Sequence, residues 1–236
     1  MAWAGMQRWF EQQSDGRRWR FDSTSAGLAD ITFVRGQRND YDYGTDGMQR
    51  EIVERGFWQP RSKFLVFYEL TARQPSGCGG GAARHGYYVV GQPGASEVER
   101  RMVDFAVVYM EKACDSTRPW GTVGEPGWPQ TMAVHELIHS VGLVTVGAPH
   151  YCGFTLAHVC SGTVMPISEV ASLDPESRDV MFPVIVWPLR DAVLDRNRDD
   201  YFMAPTRFLG SGRPPSAAKP EPFSDLSNSE FLLPSP

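Results

Sequence analysis

Nowhere in this sequence do about 18 apolar residues follow one another, which excludes a membrane-spanning helix. Lysine is scarce, three of 23 basic residues, a skew of codon usage rather than of function. Excess positive charge is missing too. The net charge of −5 and pI near 5.6 carry no electrostatic footprint for nucleic acid. The one basic cluster, RRWR at Arg17 to Arg20, reads as a solvated strand edge. No C-x-x-C pair occurs, which argues against thiolate zinc sites and thioredoxin-like chemistry. The N-terminus, MAWAGMQRWFEQQ, lacks the basic start, apolar core and small-residue cleavage site of a signal peptide. Taken alone, that points to the cytoplasm.

What is present suits a folded enzyme-sized chain. At 236 residues, 42% hydrophobic and 22% charged, it has length enough for a real core. Four cysteines, Cys78, Cys114, Cys152 and Cys160, allow three pairings or none. One reading is four buried thiols. The other is Cys78–Cys114 with Cys152–Cys160, each closing a local loop.

Along the chain, LADITFVR at 28–35 alternates as a half-buried strand, and TDGMQREIVERG places Met48, Ile52 and Val53 at helical spacing before Gly56. KFLVFYEL at 63–70 is a continuous apolar run, read as a central strand, and YYVVG as a short one. Ser96 and Glu99 form a capping-box pattern before VERRMVDFAVVYMEKAC. Val98, Met102, Phe105, Ala106 and Tyr109 mark a helical apolar face there. STRPWGTVGEPGWPQ reads as a surface loop, and a helix begins near Pro129. The fold class expected is α/β of an α+β kind, a mixed sheet with a helix on one face. Residues 1–209 read as one domain. Residues 210–236, rich in Pro and Ser, read as a flexible tail.

The chemistry concentrates in HELIHSVGLVTVGAPH, residues 135–150. Side chains four apart share a helix face, so His135 and His139 can both reach one zinc ion. Glu136, one position round, can take a proton from a zinc-bound water as that water attacks a carbonyl. The flanks TMAV and LI are apolar, so these polar groups are expected in a buried helix where they need partners. Gly142 suits the end of the helix. Third-ligand candidates are His150, His158, Glu169 and Asp174. His150 is nearest, follows Pro149, and is the choice made here.

Together with VMPIS, this run resembles the metzincin clan of zinc metallopeptidases, and within it bacterial secreted reprolysin-like proteins. DITFV at 30–34, KFLVFYE at 63–69, CGGGA at 78–82 and LDRNRDDYF at 194–202 extend the likeness over most of residues 7–205. The resemblance implies a zincin-like fold: a twisted mixed sheet over the zinc helix, and a methionine turn at Met165. It implies peptide-bond hydrolysis with Zn2+ on His135, His139 and His150 and Glu136 as general base. It also implies secretion with paired cysteines, the chain then starting inside a longer precursor. The third histidine lies five residues beyond the usual place, which is Thr145, and Pro166 follows Met165 where relatives carry a cysteine.

A second pattern is LDRNRDD. Asp195, Asn197 and Asp199 at alternate positions match part of a Ca2+ loop. The same residues suit an Asp-rich turn that caps backbone N–H groups and pairs with Arg196 or Arg198. Tyr151 and Tyr201 are candidate hydrogen-bond donors to a developing oxyanion. The expectation is a monomeric endopeptidase acting on a peptide or protein. The alternatives are a secreted zinc-containing binding module that cleaves nothing, and a metal-dependent hydrolase of non-peptide amides.

Overall fold

A computed structural model describes residues 2–26, 29–37, 47–59, 62–69, 79–80, 105–110, 121–141, 144, 148–152, 158–161, 171–185, 187–202 and 232–234. Helix and strand are mixed, and the sheets are small. The elements are α1 (Ala2–Gln13), β1 (Arg18–Trp19), α2 (Gly47–Glu54), β2 (Phe64–Tyr68), β3 (Gly79–Gly80), β4 (Phe105–Tyr109), α3 (Trp128–Val141) and β5 (Leu232–Leu233), with three short 3-10 turns between α3 and β5.

The strand β4 corrects two expectations. Residues 105–109 are a strand where a helical face was expected, and they lie at the centre of the sheet, in the order β2–β4–β3. β2 pairs parallel to β4, with Phe64 opposite Phe105 and Tyr68 opposite Tyr109, while β3 pairs antiparallel. The physical reason is that FAVVY is buried on both faces. Phe105, Val107 and Tyr109 pack with Met48, Ile52 and Val53 of α2, whereas Ala106 and Val108 pack with Met132, Ala133, Val134, Leu137 and Ile138 of α3. A strand buried on both sides shows no alternation, so its apolar run is indistinguishable by period from a buried helix.

The α2 helix follows its expected pattern. Gly56 has φ +81°, and Phe57 N–H reaches Ile52 O at 3.2 Å, the closing bond of a glycine-terminated helix. Residues 31–36 form no strand: Ile31 is 84% and Phe33 90% exposed, and Ala29 alone makes a bridge, to Ser23. The helix α1 was not anticipated. Met6, Trp9 and Phe10 recur at helical spacing and bury against α3, and Trp9 Nε1 donates to Ala192 O at 3.2 Å.

The zinc-motif helix starts one residue before Pro129 and is held at its entrance. Gln130 is fully buried; its carbonyl accepts from Gly121 N (3.1 Å) and Gly127 N (3.0 Å), and its amide donates to Gly121 O (3.1 Å). The loop 121–127 is therefore docked on the helix, with Pro126 and Gly127 buried. A side chain on Gly5 would meet Thr122 O at 2.9 Å, so glycine lets α1 approach this loop closely.

RRWR does lie at a strand: Arg18 pairs with Glu11, and β1 pairs antiparallel with β5, Trp19 opposite Leu232. Leu232, within the span read as a tail, thus enters the main core. The expected strand YYVVG, Gly142, Met165, Glu169, Cys78 and Cys114 all lie outside the described residues.

Candidate metal centre

Every residue of α3 from Gln130 to Ser140 is buried, so the helix can hold its polar side chains only by giving them partners. His135 and His139 stand one turn apart, with their Nε2 atoms 3.0 Å from each other. The third histidine is His158: its Nε2 lies 3.1 Å from that of His135 and 3.2 Å from that of His139. Three nitrogens bound tetrahedrally at about 2.05 Å would stand about 3.3 Å apart. The observed spacing is within a few tenths of that. The donor set therefore fits a zinc-like cation, although the geometry does not name the metal.

Burial prepares the imidazoles for this role. Desolvation pushes His135 down to about 4, partly opposed by its hydrogen bond to the Val180 carbonyl. His139 is held well below its ordinary value by desolvation and by the neighbouring His135 and His158. Both rings are neutral at pH 7, the form in which histidine ligates. His135 Nδ1 lies 2.6 Å from Val180 O, an acceptor only, so Nδ1 carries the proton and Nε2 keeps its lone pair.

The structure brings His158 to His135 and His139 and places His150 with Asp199 and Asp200, an outcome of the backbone that follows His150. Residues 150–152 and 158–160 pair as an antiparallel hairpin: Cys152 N–H donates to His158 O and Cys160 N–H to His150 O, both at 2.8 Å, with Tyr151 opposite Val159. The disulfide Cys152–Cys160 closes the same hairpin. It is the second of the two expected pairs. His158 sits on the returning arm and reaches the helix, whereas His150 turns to Asp200, whose Oδ2 lies 3.0 Å from His150 Nδ1.

A tight turn supports the histidines from one side. Asp179 O accepts from Phe182 N (3.0 Å), and Asp179 Oδ1 from Met181 N (2.7 Å), an Asx turn over Asp179–Phe182. Val180 of that turn orients His135, and Met181 O accepts from Val159 N at 3.1 Å, next to His158. Met181 is thus a methionine in a turn against the centre, while Met165 lies outside the described residues. The sequence signal for it was the D-x-M order in RDVMF.

The turn is itself anchored by the LDRNRDDYF segment. Tyr201 donates to Asp179 Oδ1 and accepts from Asp195 N, each at 2.8 Å. Fully buried and engaged on both sides, Tyr201 is a strut rather than an oxyanion donor. Tyr151 is half-buried against the core. Asp195, in the left-handed region at φ +46°, accepts backbone N–H groups from Asp199, Asp200, Tyr201 and Phe202 at 2.6–3.3 Å. Asp195 thus forms the Asp-rich turn that caps backbone N–H groups, with Asn197 exposed and Asp199 half-buried beside it. Arg198 pairs with Asp15, and Arg196 lies 3.6 Å from Glu176. Asp174, another ligand candidate, caps the 3-10 turn Pro175–Arg178.

No protein-family model, curated protein or solved structure matches this chain.

Proposed function

We propose that this chain is a zinc metallopeptidase of the metzincin kind, with a zincin-like fold, that cleaves peptide bonds in an extracellular setting. The observation that carries the reading is the convergence of three Nε2 atoms, one of them fixed in tautomer, on the helix that also bears Glu136. His135, His139 and His158 would hold the zinc, leaving a fourth position for water or substrate. When bound, zinc supplies Lewis acidity, lowering the pKa of water and polarising the scissile carbonyl.

The protein's own residues do the rest. Val180 O holds the His135 ring in place. Glu136, buried beside His135, accepts the proton of the attacking water and returns it to the departing amine. The Asp179–Phe182 turn, which carries Met181, keeps the histidines spaced. The disulfide is consistent with an oxidising compartment.

The test is zinc content and cleavage in parallel. Purified protein should carry zinc on this site and cut an unfolded protein substrate. Glu136→Gln should keep the zinc and lose about 10²–10⁴-fold in kcat, and His158→Ala should lose both. Zinc-loaded protein inert on polypeptide but active on small acylated amines would favour the non-peptide hydrolase. Inertness on both would favour the binding module.

A further inference from the structure

His150, displaced from the zinc-motif cluster, does not stand alone. We infer that His150, Asp199 and Asp200 form a second divalent-cation site that ties the disulfide hairpin to the 195–202 turn. His150 Nδ1 lies 3.0 Å from Asp200 Oδ2 and 3.9 Å from Asp199 Oδ1, and one ligand atom from each of the three falls within 4.8 Å of the others. Cis ligands of one ion at about 2.1–2.3 Å stand roughly 3–3.5 Å apart, so small side-chain adjustments complete the shell.

Two atoms point to a ligand beyond the hydrogen bonds already made. Asp199 Oδ1 is buried and has no hydrogen-bond partner among the described residues. Glu176 is 95% buried by its 5% exposure, and its Oε2 is likewise unpartnered there. It lies within electrostatic reach of both His150 and Asp200. A buried carboxylate oxygen left without a partner costs free energy that a cation would recover. Arg196 lies 3.6 Å from Glu176, and the three carboxylates outnumber it and His150 together. Backbone order favours the site as well: Asp200 Oδ1 already accepts His150 N at 2.8 Å, and Asp195 holds the Asp199 and Asp200 amides. The ligand atoms are thus preset on two segments fifty residues apart.

One imidazole among carboxylates selects zinc or manganese over calcium, which takes oxygen alone. The role follows from position. His150 begins the hairpin whose other arm carries His158, so an ion here would brace the arm that completes the first site.

Metal analysis of the full chain saturated with zinc and then freed of loose metal tests this. The expected result is two zinc per chain in the wild type. One should remain in His150→Gln, in Asp199→Asn and in His139→Ala, the survivor differing between the first two and the last. A manganese titration of wild-type protein followed by electron paramagnetic resonance gives a readout without any variant. There, about one bound Mn2+ per chain is expected, displaced by further zinc. One zinc in the wild type, absent in His139→Ala and kept in the other two, overturns the second site and leaves the first. One zinc lost in His150→Gln but kept in His139→Ala sustains the second site and overturns the first. A second equivalent unchanged in His150→Gln and Asp199→Asn lies elsewhere and also overturns the proposal.

Discussion

A ring as deeply buried as that of His135 resists protonation, and the resistance is measurable. In the folded, metal-free chain His135 titrates near 4; unfolded, it titrates near 6.5. Between those values the unfolded chain binds a proton that the folded chain does not, so stability falls as pH drops from about 6.5 to about 4 and is level outside that window. The gap corresponds to about 3 kcal/mol. Asp179 and Asp195, pushed up by burial, act in the opposite sense over part of that range. The prediction is therefore a difference: with chelator present, wild type should lose stability relative to His135→Gln as pH falls from 7 to 4. Urea midpoints at four pH values suffice. Parallel curves for the two proteins would mean that His135 is not held neutral by burial.

At this scale the sequence was most informative where local geometry suffices. The i, i+4 spacing of His135 and His139 needs only a helix, and the helix came with its apolar flanks. The third ligand needed more. His150 and His158 are both within reach by chain length, and what separates them is the pairing of residues 150–152 with 158–160, which spacing alone does not express.

At the scale of elements, the hairpin of residues 150–160 is the piece that converts two histidines into three. Its disulfide closes a short loop, and loss of such a bond typically costs about 2–4 kcal/mol, chiefly through a looser unfolded chain. Here a further effect is expected, because the same bond restrains the arm carrying His158. The Cys152→Ser/Cys160→Ser double variant should unfold at lower urea concentration and give up zinc to a competing chelator at least about tenfold more readily, which corresponds to about 1.4 kcal/mol. Unchanged zinc retention would show that Met181 O on Val159 and the two hairpin bonds hold His158 without the disulfide. The strand β4 teaches the complementary lesson. FAVVY reads equally as strand or helix until α2 and α3 are known to cover its two faces. By contrast, α2 was legible throughout, since its buried Met48, Ile52 and Val53 and its positive-φ Gly56 are all local features.

Across the whole molecule, segments far apart in sequence meet. Trp19 and Leu232, 213 positions apart in sequence, are opposite one another in the β1–β5 pair and both join the core that includes Phe10 and Phe202. Leu232→Ala should therefore destabilise the folded domain by about 2 kcal/mol, the low end for a buried leucine because this strand lies near the surface. Thermal unfolding of the variant checks it. An unchanged midpoint would mean that residues 232–234 add nothing to the core.

By itself the sequence determined the features that a few neighbouring residues decide: a helix carrying His135, Glu136 and His139, the helix α2, a strand at β2 though not its place at the sheet's edge, and the lack of a long apolar run. Tertiary structure alone decided the rest. It brought His158 rather than His150 to His135 and His139, put Met181 in the turn against them, and set β4 between two helices. It also filled Asp195 with backbone N–H groups and bound Leu232 to Trp19. Each of these depends on groups far apart in the chain, whose meeting is fixed by which faces are buried and which polar atoms still need a partner, and neither is expressed in a spacing of neighbours.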